Sequence, residues 1–182
     1  IGLGVMGFPM AGHLISKNKD IKLKVYNRSI KKSEKWAEKF NGIITTTPAE
    51  AAENSDIVFM CVGNDKDVEQ VVRGEKGIIS SISENSIIVD HTTASAKIAL
   101  DLYSFCKSSK NVSFIDAPVS GGQAGAENGQ LTIMVGGDKS SYLKIEPFLK
   151  SYAKNSTLIG NSGSGQLAKM VNQICIAGLL QG

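Results

Sequence analysis

Short runs of β-branched and aliphatic residues, each followed by a longer stretch with helical spacing, recur from the first residue to about residue 115. That alternation is the signature of βαβ units, in which helical crossovers return the chain to the same edge so that successive strands lie parallel. Strands are expected at residues 1–3, 23–26, 43–45, 57–62, 87–90 and 114–116, with 131–135 and 157–159 extending the same sheet. At 182 residues, 42% hydrophobic and 20% charged, the chain has the composition of one ordinary globular domain.

Helix starts are marked where this pattern needs them. Thr47-Pro48-Ala49-Glu50 places a capping threonine, a proline at the first helical position and a glutamate able to reach back, and Asp65 and Asp138 open later helices. The one long stretch without a periodic pattern is residues 117–130, and a loop of that length inside a compact domain is usually functional.

The first expected strand runs straight into Gly2-Leu3-Gly4-Val5-Met6-Gly7, a GxGxxG. Alone, such a hexamer is a weak signal. Here it follows a strand, opens a helical pattern carrying Met10, Leu14 and Ile15 on one face, and precedes a second strand within one βαβ unit. Gly2 then permits a tight turn, Gly4 lets backbone approach a pyrophosphate, and Gly7 lets helix and strand pack closely, with the phosphate on the N–H groups at the positive helix end. The fold expected is therefore α/β, a Rossmann-type doubly wound and mostly parallel sheet, and Gly2, Leu3, Gly4, Val5, Met6 and Gly7 are candidate cofactor-binding residues.

The second strand ends Val25-Tyr26-Asn27-Arg28-Ser29, and Asn27 stands where a site for an unmodified ribose carries an acidic residue. A carboxylate there would repel a 2′-phosphate, whereas Arg28 and the Ser29 hydroxyl can donate to one, with Lys31 and Lys32 adding field. Asn27, Arg28 and Ser29 thus point to NADP(H) as preferred cofactor, with NAD(H) possible.

Between Lys17 and Lys39 stand nine Lys and Arg against three acidic residues, although the net charge of the whole chain is only +3. Neither interleaved aromatics nor a recognition motif accompanies this run, so no nucleic acid is expected as partner and a small phosphate-bearing ligand is. Cys61, Cys106 and Cys175 are odd in number, without a CxxC pair or nearby histidines, which indicates neither a disulfide framework nor a metal site and suits a reducing, cytoplasmic setting. No apolar run is long enough to span a bilayer, so no membrane is expected as partner. The chain opens without methionine and stops inside a helical pattern, as a fragment would.

Asp116-Ala117-Pro118-Val119-Ser120-Gly121-Gly122, followed by Gly125-Ala126 and Gly129, is the most specific stretch. Together with GLGVMGFPM at the start and Gly163-Ser164-Gly165 leading to Lys169-Met170-Val171-Asn172-Gln173, it resembles the β-hydroxyacid dehydrogenase family, whose members include 3-hydroxyisobutyrate dehydrogenase and tartronate semialdehyde reductase. The resemblance implies that Ser120, Gly121 and Gly122 bind the substrate carboxylate. The chemistry agrees, because a hydroxyl and successive glycine N–H groups form a compact anion-binding concavity.

Lys169, Asn172, Gln173 and Ile176 stand at i, i+3, i+4 and i+7, on one helical face. The resemblance makes Lys169 the catalytic residue, general acid in carbonyl reduction and general base in alcohol oxidation, with a pKa that burial would lower as that work requires. It makes Asn172 and Gln173 substrate-binding, and places Val62, Gly63, Asn64 and Thr93 against the cofactor, at carboxyl ends of strands where ligands of open α/β sheets bind. Asp90, His91 and Trp36 read as structural.

The function so implied is hydride exchange between NADP(H) or NAD(H) and a small 3-hydroxy acid, with 3-hydroxyisobutyrate the leading candidate. Alternatives are a reductase of tartronate semialdehyde, succinic semialdehyde or glyoxylate, and a non-catalytic dinucleotide-binding module, against which Lys169 argues. A decarboxylating 6-phosphogluconate dehydrogenase is disfavoured, since that group has a histidine where this chain has Asn172. The resemblance also implies a dinucleotide-binding domain over 1–164, an interdomain catalytic helix beginning at 165–182, a further all-helical domain, and a homo-oligomer.

Overall fold

A computed structural model of the chain describes residues 1–181. The first half runs α1 (Gly7–Lys17), β1 (Lys24–Val25), α2 (Ile30–Ala37), β2 (Ile43–Ile44), α3 (Pro48–Ala52), β3 (Ile57–Met60), α4 (Asp65–Arg73), α5 (Ile78–Ser81) and β4 (Ile87–Asp90). The second half runs α6 (Ala96–Lys110), β5 (Ser113–Asp116), β6 (Val119–Ser120), α7 (Gly122–Glu127), β7 (Leu131–Gly136), α8 (Lys139–Leu149), β8 (Ala153–Gly160) and α9 (Ser164–Gln181).

Strands β3, β4 and β5 pair in parallel, as the alternation requires, and the sheet continues through β7, which meets β5 and β6 antiparallel and β8 in parallel. β1 and β2 form a separate parallel pair. Ile1 and Gly2 join the two sheets: the Ile1 amine donates to Phe59 O at 2.8 Å, Cys61 N–H donates to Ile1 O at 3.0 Å, and Gly2 N–H donates to Tyr26 O at 2.8 Å. The expected first strand is thus present as a bonding position between β1 and β3, without a strand's length of its own.

A strand covered on both faces is apolar along most of its length, because successive side chains point to opposite sides. β4 is buried at all four residues, and its side chains divide accordingly: Ile87 and Val89 join one core cluster, Ile88 the other. In β5, Ile115 and Phe114 divide the same way. The first cluster takes Met10 and Leu14 of α1 and Ile145 and Leu149 of α8; the second takes Val68 and Val72 of α4, Ile78 of α5, and Leu102 and Cys106 of α6. Helices therefore cover both sheet faces, the doubly wound arrangement that was expected. Trp36 is fully buried beside Leu3 and Val25 and donates its indole N–H to Phe8 O at 3.1 Å, so it is packing.

Three local expectations are corrected. Residues 117–130 are not irregular: they hold β6 and α7, elements too short for periodicity to reveal. Thr47 does cap α3 by accepting from Glu50 N–H at 3.1 Å, but Glu50 reaches back to Thr46 N–H at 2.8 Å, one residue beyond the cap. α4 is capped by Asn64, whose side chain accepts from Lys66 and Asp67 N–H, while Asp65 accepts from Ser95; Asp138 stands at the N-cap of α8 but accepts from the Tyr103 hydroxyl instead.

Candidate active site

The glycine turn is held by the chain's own backbone. Gly2 has φ +87°, and a Cβ on it would lie 2.2 Å from Cys61 O; a Cβ on Gly7 would lie 1.9 Å from Gly2 O. Neither position admits a side chain, because the opposing atoms are backbone that cannot swing aside. Gly4 differs. No protein atom lies within 4 Å of its hypothetical Cβ, and it lines a cleft of about 630 Å³ at the sheet's carboxyl edge. No side chain caps α1 beyond it. Helix-end amides beside open space that one Cβ would occupy fit a phosphate-bearing ligand.

The same cleft is lined by Gly2, Asn27, Arg28, Ser29, Val62 and Gly63 of the expected residues. Asn27 fixes the turn, its side-chain oxygen accepting from Leu3 N–H at 2.9 Å and its amide donating to Ser29 O at 3.1 Å. Leu3 is buried in the core behind the turn, Asn64 is used as the α4 cap, and Val5, Met6, Gly7 and Thr93 do not line the cleft; Val5 and Thr93 are exposed.

A carboxylate was missed here. Arg28 lies 3.4 Å from Asp67, which reaches the cleft from the first turn of α4. The pair is too exposed to add much stability, but it places an anion beside the arginine although the strand itself ends without one. The available signal was the position of Asp67 in the first helical turn after Val62-Gly63-Asn64. Lys32, Thr46, Thr47 and Lys76 also line this end.

The second locus forms where β5, β6 and α9 meet. Asp116 is fully buried, and its carboxylate accepts from Gly163 N–H at 2.7 Å and Gln166 N–H at 3.0 Å, docking the start of α9 on the sheet. Burial pushes its pKa up, and those backbone donors pull it back down. Gly165 must be bare at this crossing, since a Cβ would lie 2.5 Å from Met134 O.

One turn on, Lys169 is only 7% exposed and forms no ion pair among the described residues. Burial lowers its pKa from the ordinary lysine value. On the next turn, Asn172 Nδ2 stands 3.5 Å from Ser120 Oγ, the outer limit of a hydrogen bond, so lysine helix and glycine loop meet at these two residues. Gly121 has φ +128°, and beside Gly122 a Cβ would find no atom within 4 Å, leaving this turn's surface open. Gln173 is not brought in; it is exposed.

Asp90 and His91 lie beneath. Burial pushes Asp90 up to about 7 and His91 down to about 4. His91 Nδ1 stands 2.7 Å from Ala117 O and Nε2 2.9 Å from the Tyr152 hydroxyl. The carbonyl can only accept, so a neutral ring carries its proton on Nδ1 and accepts from the tyrosine. With both nitrogens engaged, the ring is a strut between β4 and the strand-loop beyond β5.

Residues 1–160 match the family described as the NAD binding domain of 6-phosphogluconate dehydrogenase. The chain belongs to this family. Among relatives of this NAD-binding domain, an uncharacterized oxidoreductase of Shewanella frigidimarina is 53% identical over 182 residues, 100% of this chain and 62% of that protein. The 2-hydroxy-3-oxopropionate reductase of Escherichia coli is 34% identical over 179 residues, 97% of this chain and 59% of that protein. Among solved structures, 3-hydroxyisobutyrate dehydrogenase of Mycobacterium tuberculosis, determined with L-serine, superposes with a TM-score of 0.88 at 27% identity, over 97% of this chain and 58% of that one. The chain thus spans about three-fifths of the length of the proteins it resembles. No described helix is long and apolar enough to cross a membrane.

Proposed function

We propose that the chain is the dinucleotide-holding and lysine-bearing part of an oxidoreductase acting on a small 3-hydroxy acid, 3-hydroxyisobutyrate first, with NADP(H) preferred and NAD(H) accepted. The observation that carries this reading is Lys169: a buried lysine without a counter-ion among the described residues, its pKa lowered, one turn from the contact between Asn172 and Ser120. Leaving an amine so placed costs stability, which a proton-relay role would explain.

The cofactor supplies or accepts the hydride. Gly2, Gly4 and the start of α1 would hold its pyrophosphate, Arg28 and Ser29 would donate to a ribose 2′-phosphate, and Val62 and Gly63 would flank it, with the loop at Thr93 beside Val62. Asp67 can accept from a plain 2′-hydroxyl, which accounts for tolerance of NAD(H). Ser120, Gly121 and Gly122 hold the substrate carboxylate and Asn172 its hydroxyl. Lys169 gives its proton to the carbonyl oxygen in reduction and takes the hydroxyl proton in oxidation. The Escherichia coli relative supports a second reading, 2-hydroxy-3-oxopropionate (tartronate semialdehyde) as substrate.

The test is a panel of 3-hydroxy acids and semialdehydes assayed with the whole protein and both cofactors. The reading expects 3-hydroxyisobutyrate and NADP⁺ to give the highest kcat/KM. Dinucleotide binding without turnover of any panel member would replace it with a pure binding module.

A further inference from the structure

We propose that Gln166 is a positioning residue that ties the lysine helix to the cofactor-side loop at Thr93, so that Lys169 and that loop are placed as one unit. The inference deepens the reading above and rests on it. Gln166 is 1% exposed and lies in the first turn of α9, three residues before Lys169 and on the same buried face. Its side-chain oxygen accepts from Ala94 N–H at 3.0 Å, and its side-chain amide donates to Thr92 O at 2.7 Å. The primary amide therefore pairs with the loop on both sides of Thr93 as a neighbouring strand's peptide group would.

The loop it grips is itself tied down. Thr92 Oγ1 accepts from Val62 N–H at 3.0 Å, and Thr92 N–H donates to Asp90 Oδ1 at 2.9 Å. A continuous chain of hydrogen bonds therefore runs from Val62, on the cleft wall, through Thr92 and Gln166 to the turn that precedes Lys169.

Helix docking does not need this side chain. Asp116 already holds the start of α9 through the backbone N–H groups of Gly163 and Gln166, which any residue at 166 would supply. What the Gln166 side chain adds is the link to the loop. Without it, Ala94 N–H and Thr92 O lose their partners, and a shift of a few tenths of an ångström between lysine and loop is enough to slow a proton relay.

Two variants of the whole protein test this. Gln166→Met keeps the volume and removes both hydrogen bonds; kcat should fall about 10- to 100-fold and the NADPH Kd rise about threefold or more, while the KM for the hydroxy acid, whose carboxylate is held by the separate Ser120 loop, stays within about twofold. Gln166→Glu can still accept from Ala94 N–H, but it donates to Thr92 O only when protonated. Its activity relative to wild type should therefore recover as pH falls. The neighbouring groups Asp116, Asp90 and Lys169 titrate in both proteins and the ratio removes only their common part, so recovery of the NADPH Kd over the same pH range, which Lys169 does not govern, reads the loop contact itself. If Gln166→Met does not fold, the pH-dependent recovery of Gln166→Glu carries the test. A folded Gln166→Met with lowered Tm but wild-type kcat and Kd, or a Gln166→Glu ratio flat with pH, overturns the proposal alone. A wild-type protein that turns over nothing overturns the reading beneath it and the proposal with it.

Discussion

The glycine turn and the lysine helix reach their geometry by opposite routes. At the turn, Gly2, Gly7, Cys61 and Tyr26 are locked by backbone contacts, so the phosphate-facing surface is a property of the sheet itself. The lysine helix is held by buried side-chain hydrogen bonds at its start, through Asp116 and Gln166, across sequence separations of 47 to 74 residues. Beyond Lys169 it shows Val171 61%, Ile174 69%, Leu179 83% and Leu180 81% exposed. The difference teaches that the geometry of the turn is a local property, whereas the placement of Lys169 depends on a few buried polar tethers; on the proposed reading, dinucleotide binding and proton relay would divide along the same line.

The largest expected effect on cofactor binding would come from breaking the locked region. Gly7→Ala puts a methyl 1.9 Å from Gly2 O, an overpacking that costs about 1–3 kcal/mol or more. It should lower Tm and weaken NADPH binding about 10- to 100-fold. Gly4→Ala, with open space around its Cβ, should weaken binding with Tm unchanged. Equal Tm losses for the two, by thermal melts beside fluorescence titration, would show that the turn is not locked as described.

The tethered region should differ by titrating. Asp90 has its folded pKa raised to about 7, so the folded state keeps a proton that the unfolded carboxyl loses near pH 4. Its contribution to stability therefore falls as pH rises from about 4 and levels off above about 7, by about 1.4 kcal/mol for each unit of pKa difference. His91, lowered to about 4, acts in the opposite sense below about pH 6.5. Asp90→Asn isolates the first term: the buried Ile1 amine, lowered to about 6, acts in the opposite sense above that pH in both proteins, so in denaturant melts it is the stability of wild type relative to the variant that should fall between about pH 4.5 and 7 and then level off. Parallel curves would remove Asp90 from the account.

The smallest effect sharpens the comparison at the cleft's far end. Arg28→Asp removes a donor beside Asp67 and adds a second carboxylate, so NADP(H) should weaken at least about tenfold more than NAD(H), a shift of about 1.4 kcal/mol. Equal weakening of both, by titration, would detach Arg28 from cofactor choice.

These regions also differed in how far they could be read from sequence. The glycine turn was legible because its constraint is local: spacing alone predicts Gly2 and Gly7 at a strand-helix crossing. Alternating runs likewise predicted a sheet covered on both faces, since Ile87, Ile88 and Val89 are apolar without a break. β6 and α7 were not legible, being two and six residues long, and β6 forms only by pairing with the later strand β7. Asp67 was missed because it approaches Arg28 from 39 residues away, and Gln166 because its partners are backbone groups of a distant loop, which leave no mark in residue type.

The central claim, that binding and proton relay reside in separable parts, is tested most directly by Lys169→Ala in the whole protein, with NADPH Kd and kcat measured on the same preparation. The account predicts a Kd within about twofold of wild type and a kcat lower by about 10²- to 10⁴-fold. A kcat within a few-fold of wild type would make Lys169 an ordinary buried helix residue and contradict the account.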